Sequence, residues 1–139
     1  MHLNLNSMKI ISWQEFDCCI EHIIYTCGSK SFSGVYGFPR GGLCLGVALS
    51  HSLKIPLLEK PMPGALVVDD VYETGKTLAK VAEMKDITTF VWFSKVKPQW
   101  WNAVNMADPK VWLVFPWEDK SFAMEDKKNY QASILNSNA

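Results

Sequence analysis

One segment limits what this chain can fold into more than any other: Ala65-Leu66-Val67-Val68, followed directly by Asp69 and Asp70. A continuous apolar run without alternation predicts a strand buried on both faces, as in parallel sheets. Two adjacent acids at its C-terminal end then stand at the sheet edge where open α/β folds bind ligands. Vicinal carboxylates there can accept hydrogen bonds from the 2- and 3-hydroxyls of a ribose, or hold a magnesium ion. The following residues, 71 to 76, read as a loop, and Thr77 to Met84 as a helix. The motif offers the hydroxyls of Thr74 and Thr77, a glycine at 75 that lets backbone approach a ligand, and Lys76. A helix N-terminus behind it would present free N–H groups to an anion. Sugar hydroxyls on one side and phosphate on the other describe a phosphoribosyl group. The competing reading makes Asp69 and Asp70 solvated strand-end acids and Thr74 to Thr77 a capping turn. A P-loop is excluded, because that pattern needs a glycine where Asp70 stands.

The flanking sequence supplies the rest of such a sheet. Lys9 to Ile11 predicts a short edge strand. Ser12 and Glu15 have the spacing of a capping box. Trp13, Phe16, Ile20, Ile23, Ile24 and Cys27 then recur on one helical face. Val35 to Phe38 predicts a buried strand, broken by Pro39, Arg40, Gly41 and Gly42. A helix is expected over Leu43 to Leu53 and a short strand over Ile55 to Leu58. Two more strands are expected at Thr88 to Phe93 and Val111 to Phe115. This alternation predicts an α/β domain with a mostly parallel sheet over residues 1–118. Residues 119–139 are polar and are expected to form a partly frayed tail.

Composition narrows the function classes. The chain has 139 residues, 48% of them hydrophobic, so a core can form and disorder is disfavoured. Lys plus Arg and Asp plus Glu both number 14, so no global basic field attracts nucleic acid or anionic lipid. An anionic ligand must be held by a local site. No apolar run approaches the roughly 18 residues of a membrane span, and no signal-peptide pattern is seen at the N-terminus. Cys18, Cys19, Cys27 and Cys44 form no CxxC pair and fit no zinc spacing. They are expected as reduced thiols of a cytoplasmic protein.

Leu66 to Leu78 resembles the phosphoribosyl-diphosphate motif of type I phosphoribosyltransferases, and the likeness extends beyond it. Gly37-Phe38-Pro39-Arg40-Gly41-Gly42-Leu43 resembles the pyrophosphate loop of the purine enzymes. Ile10-Ile11-Ser12-Trp13 resembles the N-terminus of the xanthine–guanine enzymes. Phe93-Ser94-Lys95 and Trp112 to Trp117 resemble their purine-binding segments. The resemblance covers roughly residues 9–118. It implies a Rossmann-like, mostly parallel sheet with a small purine-binding hood. The reaction it implies transfers phosphoribosyl from phosphoribosyl diphosphate to a 6-oxopurine (guanine, xanthine or hypoxanthine) and releases pyrophosphate, with magnesium as cofactor. It also implies a homodimer or homotetramer.

The resemblance implies a role for each matching residue. Asp69 and Asp70 hold the ribose hydroxyls, with Asp70 nearer the magnesium ion. Glu73, Thr74, Gly75, Lys76 and Thr77 wrap the 5-phosphate. Arg40 and the N–H groups of Gly41 and Gly42 bind pyrophosphate oxygens, in a loop that often carries a strained or cis peptide. Glu73 manages the proton on the purine ring nitrogen, so Glu73, Arg40 and Asp70 form the catalytic set. Lys95 donates to the purine 6-oxo group, Trp112 stacks on the ring, and the backbone of Leu113 reads its edge. Without the resemblance, Arg40 is a surface charge beside a turn, Lys95 a solvated strand-end lysine and Trp112 plain core.

Two departures stand out. Glu73 occupies a position where purine enzymes usually carry an aspartate, and its extra methylene changes its reach. The long mobile loop that closes over the family's site has no counterpart, because only Glu59-Lys60-Pro61-Met62-Pro63-Gly64 fills that interval. The short interval leaves a second reading open: a regulator that binds a nucleotide or phosphoribosyl diphosphate with little or no turnover.

Overall fold

A computed structural model describes residues 7–137. The chain divides into two compact units, Asp17–Pro109 and Met1–Phe16 with Lys110–Ala139.

The larger unit is built on a four-stranded sheet. Its strands are β2 (Val35–Gly37), β3 (Leu66–Tyr72), β4 (Thr88–Ser94) and β5 (Asn102–Met106), with β1 (Met8–Ile10) lying in the other unit. The order is β2-β3-β4-β5 and every pairing is parallel. An α/β fold with a parallel sheet is therefore what the chain adopts. β3 and β4 are the interior strands, and Ala65, Leu66, Val67 and Val68, leading into and along β3, are all fully buried. Helix α2 (Leu43–Leu53) has the predicted bounds and packs on β2 and β3. Helix α1 (Trp13–Cys27) contains the boundary between the units, and its Cys19 and Ile23 are buried while Cys18 is exposed.

Four expectations need correction. β3 continues through Val71 and Tyr72, which pair with Phe93 and Ser94, so Asp69 and Asp70 lie inside the strand and not at its end. Ile55 to Leu58 forms no strand; its pairing reduces to one bridge between Leu57 and Val35. Thr77 to Met84 is not an α-helix but a single 3-10 turn over Leu78–Lys80, followed by further turns. Its apolar residues, Leu78, Val81 and Met84, repeat every three positions, the period of a 3-10 helix. Strand β5 was not anticipated, because Asn102 to Met106 lacks an apolar alternation.

In the smaller unit β1 pairs in parallel with β6 (Trp112–Val114), Lys9 lying opposite Leu113. The expected polar tail is instead helix α3 (Lys120–Ser137), which packs on β6. Asp119 starts it, its carboxylate accepting from the Ser121 N–H at 2.8 Å. Among the described residues no helix is long and apolar enough to cross a membrane.

The expected capping box is formed at α1. The Ser12 N–H donates to Glu15 Oε2 at 2.8 Å, and the Glu15 N–H to Ser12 Oγ at 3.1 Å. Ser12→Ala should cost about 1 kcal/mol, read as a lower urea midpoint and faster exchange of the first-turn amides. Unchanged values on both measures would remove the cap as a source of stability.

Candidate functional site

The C-terminal ends of β2 and β3 carry the site in the larger unit. β2 ends at Gly37, and the chain turns through Pro39, Arg40, Gly41 and Gly42 into α2. The Pro39–Arg40 peptide is cis. The Gly42 N–H, expected to bind a pyrophosphate oxygen, has a partner within the loop itself. That group donates to the Phe38 carbonyl at 2.8 Å, and the Leu43 N–H donates to the Arg40 carbonyl at 3.1 Å. Arg40 is exposed and forms no ion pair among the described residues. The loop is drawn against β3 at Gly41, where even a Cβ would overlap the Asp70 carboxylate. That contact leaves no room for a side chain at 41 while the Asp70 carboxylate keeps its place, and it brings the loop and Asp70 together.

Asp69 is 6% exposed and Asp70 half-buried. Each carboxylate accepts the N–H of the next residue: Asp70 N–H to Asp69 Oδ1 at 2.9 Å, Val71 N–H to Asp70 Oδ1 at 2.8 Å. Neither makes an ion pair among the described residues. Burial, and then the negative charge of Asp70 beside it, push the Asp69 carboxyl up to about 8. Burial likewise holds the Asp70 carboxyl above its ordinary value, against the lowering effect of its hydrogen bonds to Asp69 and Val71. Such a pair is short of a positive partner.

The turn after β3 provides donors. Gly75 has a φ of +80°, in the left-handed region that glycine enters freely. The backbone N–H groups of Thr74, Gly75 and Thr77 meet no backbone acceptor among the described residues. The Lys76 N–H reaches Thr74 Oγ1 only at 3.4 Å. With an α-helix absent, a helix dipole plays no part here. The open amides are what this turn has to offer an anion.

Glu73 and Lys95 meet directly: Lys95 Nζ stands 2.7 Å from Glu73 Oε1, the two side chains 9% and 27% exposed. Lys95 follows β4 and is tied to β3 as well, its N–H donating to the Tyr72 carbonyl at 2.9 Å. The lysine is thus a buried, paired cation and not a solvated strand-end group.

Trp112 and Leu113 belong to the smaller unit. Leu113 is buried in β6. Trp112 packs a tilted ring against Tyr130 of α3, centroids 5.3 Å apart, and its buried indole N–H meets no hydrogen-bond partner among the described residues. A cavity of about 330 Å3 in that unit is lined by Ile11, Trp13, Val114, Phe115 and Glu118 among others, but by neither Trp112 nor Leu113.

Sequence reading passed over Tyr72. Its ring stacks on Trp101 at 3.8 Å and 13°, and its phenol tip lies against Gly75. The one available signal was a large aromatic inside the motif, between Asp70 and Glu73.

Solved structures resemble this arrangement. A purine phosphoribosyltransferase from Pyrococcus horikoshii is 30% identical, with a TM-score of 0.66 over 81% of this chain and 94% of that one. A xanthine-guanine-hypoxanthine phosphoribosyltransferase from Helicobacter pylori is 17% identical, with a TM-score of 0.62 over 86% of this chain and 99% of that one. An orotate phosphoribosyltransferase from Aeropyrum pernix is 20% identical, with a TM-score of 0.54 over 71% and 75%. Neither a protein-family model nor a curated protein sequence matches the chain.

The acids predict a pH dependence. An unfolded Asp ionises near 3.9, whereas folded Asp69 holds its proton to about 8. Between these values the folded state binds more protons, so stability falls as pH rises through the window. Ligand-free, magnesium-free protein should therefore melt at a lower temperature at pH 8.5 than at pH 5.5. Asp69→Asn should flatten that dependence, and parallel melting curves for both proteins would contradict it.

Proposed function

The chain belongs to the type I phosphoribosyltransferase family, and from that premise we propose that it transfers phosphoribosyl from phosphoribosyl diphosphate to a 6-oxopurine. In that reaction a bond forms between a purine nitrogen and ribose C1 as the bond from C1 to the pyrophosphate oxygen breaks. The observation that carries the reading is the contact of Asp70, beside Asp69, with the Gly41 loop, on a strand that runs on into the open amides of Thr74, Gly75 and Thr77.

In this reading the two acids accept hydrogen bonds from the ribose 2- and 3-hydroxyls. The turn from Glu73 to Thr77 binds the 5-phosphate through backbone N–H groups. Arg40 and the Gly41 amide bind pyrophosphate, and the Gly42 amide is not among the donors. Positioning of this kind is what a reaction with an oxocarbenium-like centre draws on.

Magnesium fits the acids by its chemistry, since buried carboxylate oxygens without an ion pair are hard acceptors. Among the described residues no cluster of three or more His, Cys, Asp or Glu could cage a metal. Asp70, with Asp69, would hold magnesium together with substrate oxygens, a usual arrangement for this ion. When bound, magnesium neutralises charge on the departing pyrophosphate.

Lys95 supports the 6-oxopurine assignment. A lysine only donates, so it suits a 6-oxo acceptor and not the 6-amino group of adenine. Its pairing with Glu73 supports a joint role in which the carboxylate takes the ring proton while the ammonium meets the oxo group. The stacking and edge-reading roles of Trp112 and Leu113 rest on the family resemblance, as does assembly into a homodimer or homotetramer.

A second reading, nucleotide binding with little or no turnover, is favoured by the short Glu59 to Gly64 interval. A hypothetical protein from Neisseria gonorrhoeae with bound ppGpp shares the fold, at 15% identity and a TM-score of 0.58.

The test mixes protein, magnesium and phosphoribosyl diphosphate with guanine, xanthine, hypoxanthine or adenine and follows nucleotide formation. Product is expected with 6-oxopurines and not with adenine, and Asp70→Asn should lower kcat/KM roughly 100-fold. Nucleotide binding without product from any base would replace this reading with the second one.

A further inference from the structure

We propose that Tyr72 is a positioning residue that fixes the phosphate-binding turn by pressing its ring, braced on Trp101, against Gly75. The proposal rests on the phosphoribosyl reading of that turn and adds to it the residue that sets the turn's shape.

Tyr72 is the last residue of β3, half-buried and held through both its backbone and its ring. Its backbone lies opposite Ser94 of β4, and its carbonyl accepts the Lys95 N–H at 2.9 Å. Its ring lies flat on Trp101, centroids 3.8 Å apart and planes 13° off parallel. Trp101 is itself immobilised. It is 4% exposed, its indole N–H donates to Ser94 Oγ at 3.2 Å, and that hydroxyl donates to the Val96 carbonyl at 2.5 Å. Two flat rings in such contact fix each other's orientation as well as burying area.

The phenol tip sits where a side chain on Gly75 would sit, Cζ being 2.9 Å from the position of a Cβ and the hydroxyl oxygen closer still. A glycine permits a φ of +80° but does not hold it, because many other conformations are equally open to it. Something else must remove that freedom if the amides of Thr74, Gly75 and Thr77 are to converge on one anion. Tyr72 is placed to do so. The Tyr72 hydroxyl donates to no acceptor among the described residues, so the ring face and the tip's bulk are what act on the turn. Donors fixed before the ligand arrives lose less on binding it.

The experiment measures ribose 5-phosphate and inorganic phosphate binding to the full chain by calorimetry, together with KM for phosphoribosyl diphosphate and for the base separately. Tyr72→Phe keeps the ring and should bind like wild type. Tyr72→Leu should weaken ribose 5-phosphate binding, and raise KM for the diphosphate, roughly tenfold with KM for the base unchanged. Trp101→Leu, which is one residue removed from the turn, should reproduce that loss and not add to it in the double variant. Tyr72→Met is the substitute if the Leu variant does not fold. A Phe variant as weak as the Leu variant would overturn the proposal by making the hydroxyl a direct ligand, and equal losses in both KM values would overturn it as a general loss of structure. Ribose 5-phosphate binding by wild type and Leu variant alike would overturn this proposal alone. Failure of wild type to bind ribose 5-phosphate would remove the phosphoribosyl reading beneath it.

Discussion

Everything at the site follows from two neighbouring carboxylates held inside a buried strand. Removing an acid from water disfavours its charged form, and a second acid beside it disfavours it again. Asp69 suffers both effects, whereas Asp70 is raised mainly by burial and is partly relieved by its hydrogen bonds to Asp69 and to the Val71 amide. The strand tolerates this because its lower half, from Ala65 to Val68, is packed well enough to carry the strain at its upper end. A ligand that brings hydroxyl donors and a divalent cation relieves what the fold leaves unrelieved.

The phosphate end of the site works by different means. Helix dipoles commonly hold phosphates in α/β folds, but the segment after Gly75 makes only a 3-10 turn. In place of a dipole, the turn at Gly75 has open amides to offer. Such a site depends on the shape of a few residues and not on a long ordered element. Its stability must come from beneath, which is where Tyr72, Trp101, Leu78 and Val81 lie in one apolar cluster.

Local features were legible in the sequence. The bounds of α2 and the Ser12–Glu15 capping box are set by neighbours along the chain, and both are realised as read. The apolar run fell in a buried strand for the same reason, a solid apolar run having one natural place in an α/β fold, although Asp69 and Asp70 lie inside that strand and not at its end. What escaped notice depends on partners distant in sequence. Val71 and Tyr72 are strand because β4 offers Phe93 and Ser94. Ile55 to Leu58 is not, because only Leu57 finds a partner. Helix α3 looked like a tail because its polar sequence shows no strong apolar stripe, yet good helix formers and the Asp119 cap suffice. The Gly41–Asp70 contact and the Glu73–Lys95 pair could be named as members of one site but not as direct neighbours.

The pairing of β1 with β6 has a consequence for how the chain assembles. Lys9 finds its partner at Leu113, nearly the whole described length away, whereas the sheet of the larger unit joins strands that follow one another directly in sequence. Contacts closing short loops form sooner than those closing long ones. During synthesis the sheet carrying Asp69 and Asp70 can therefore be complete while residues 8–10 still wait for 112–114 to leave the ribosome. The larger unit matures first, and an early strand remains an open edge until the late one arrives.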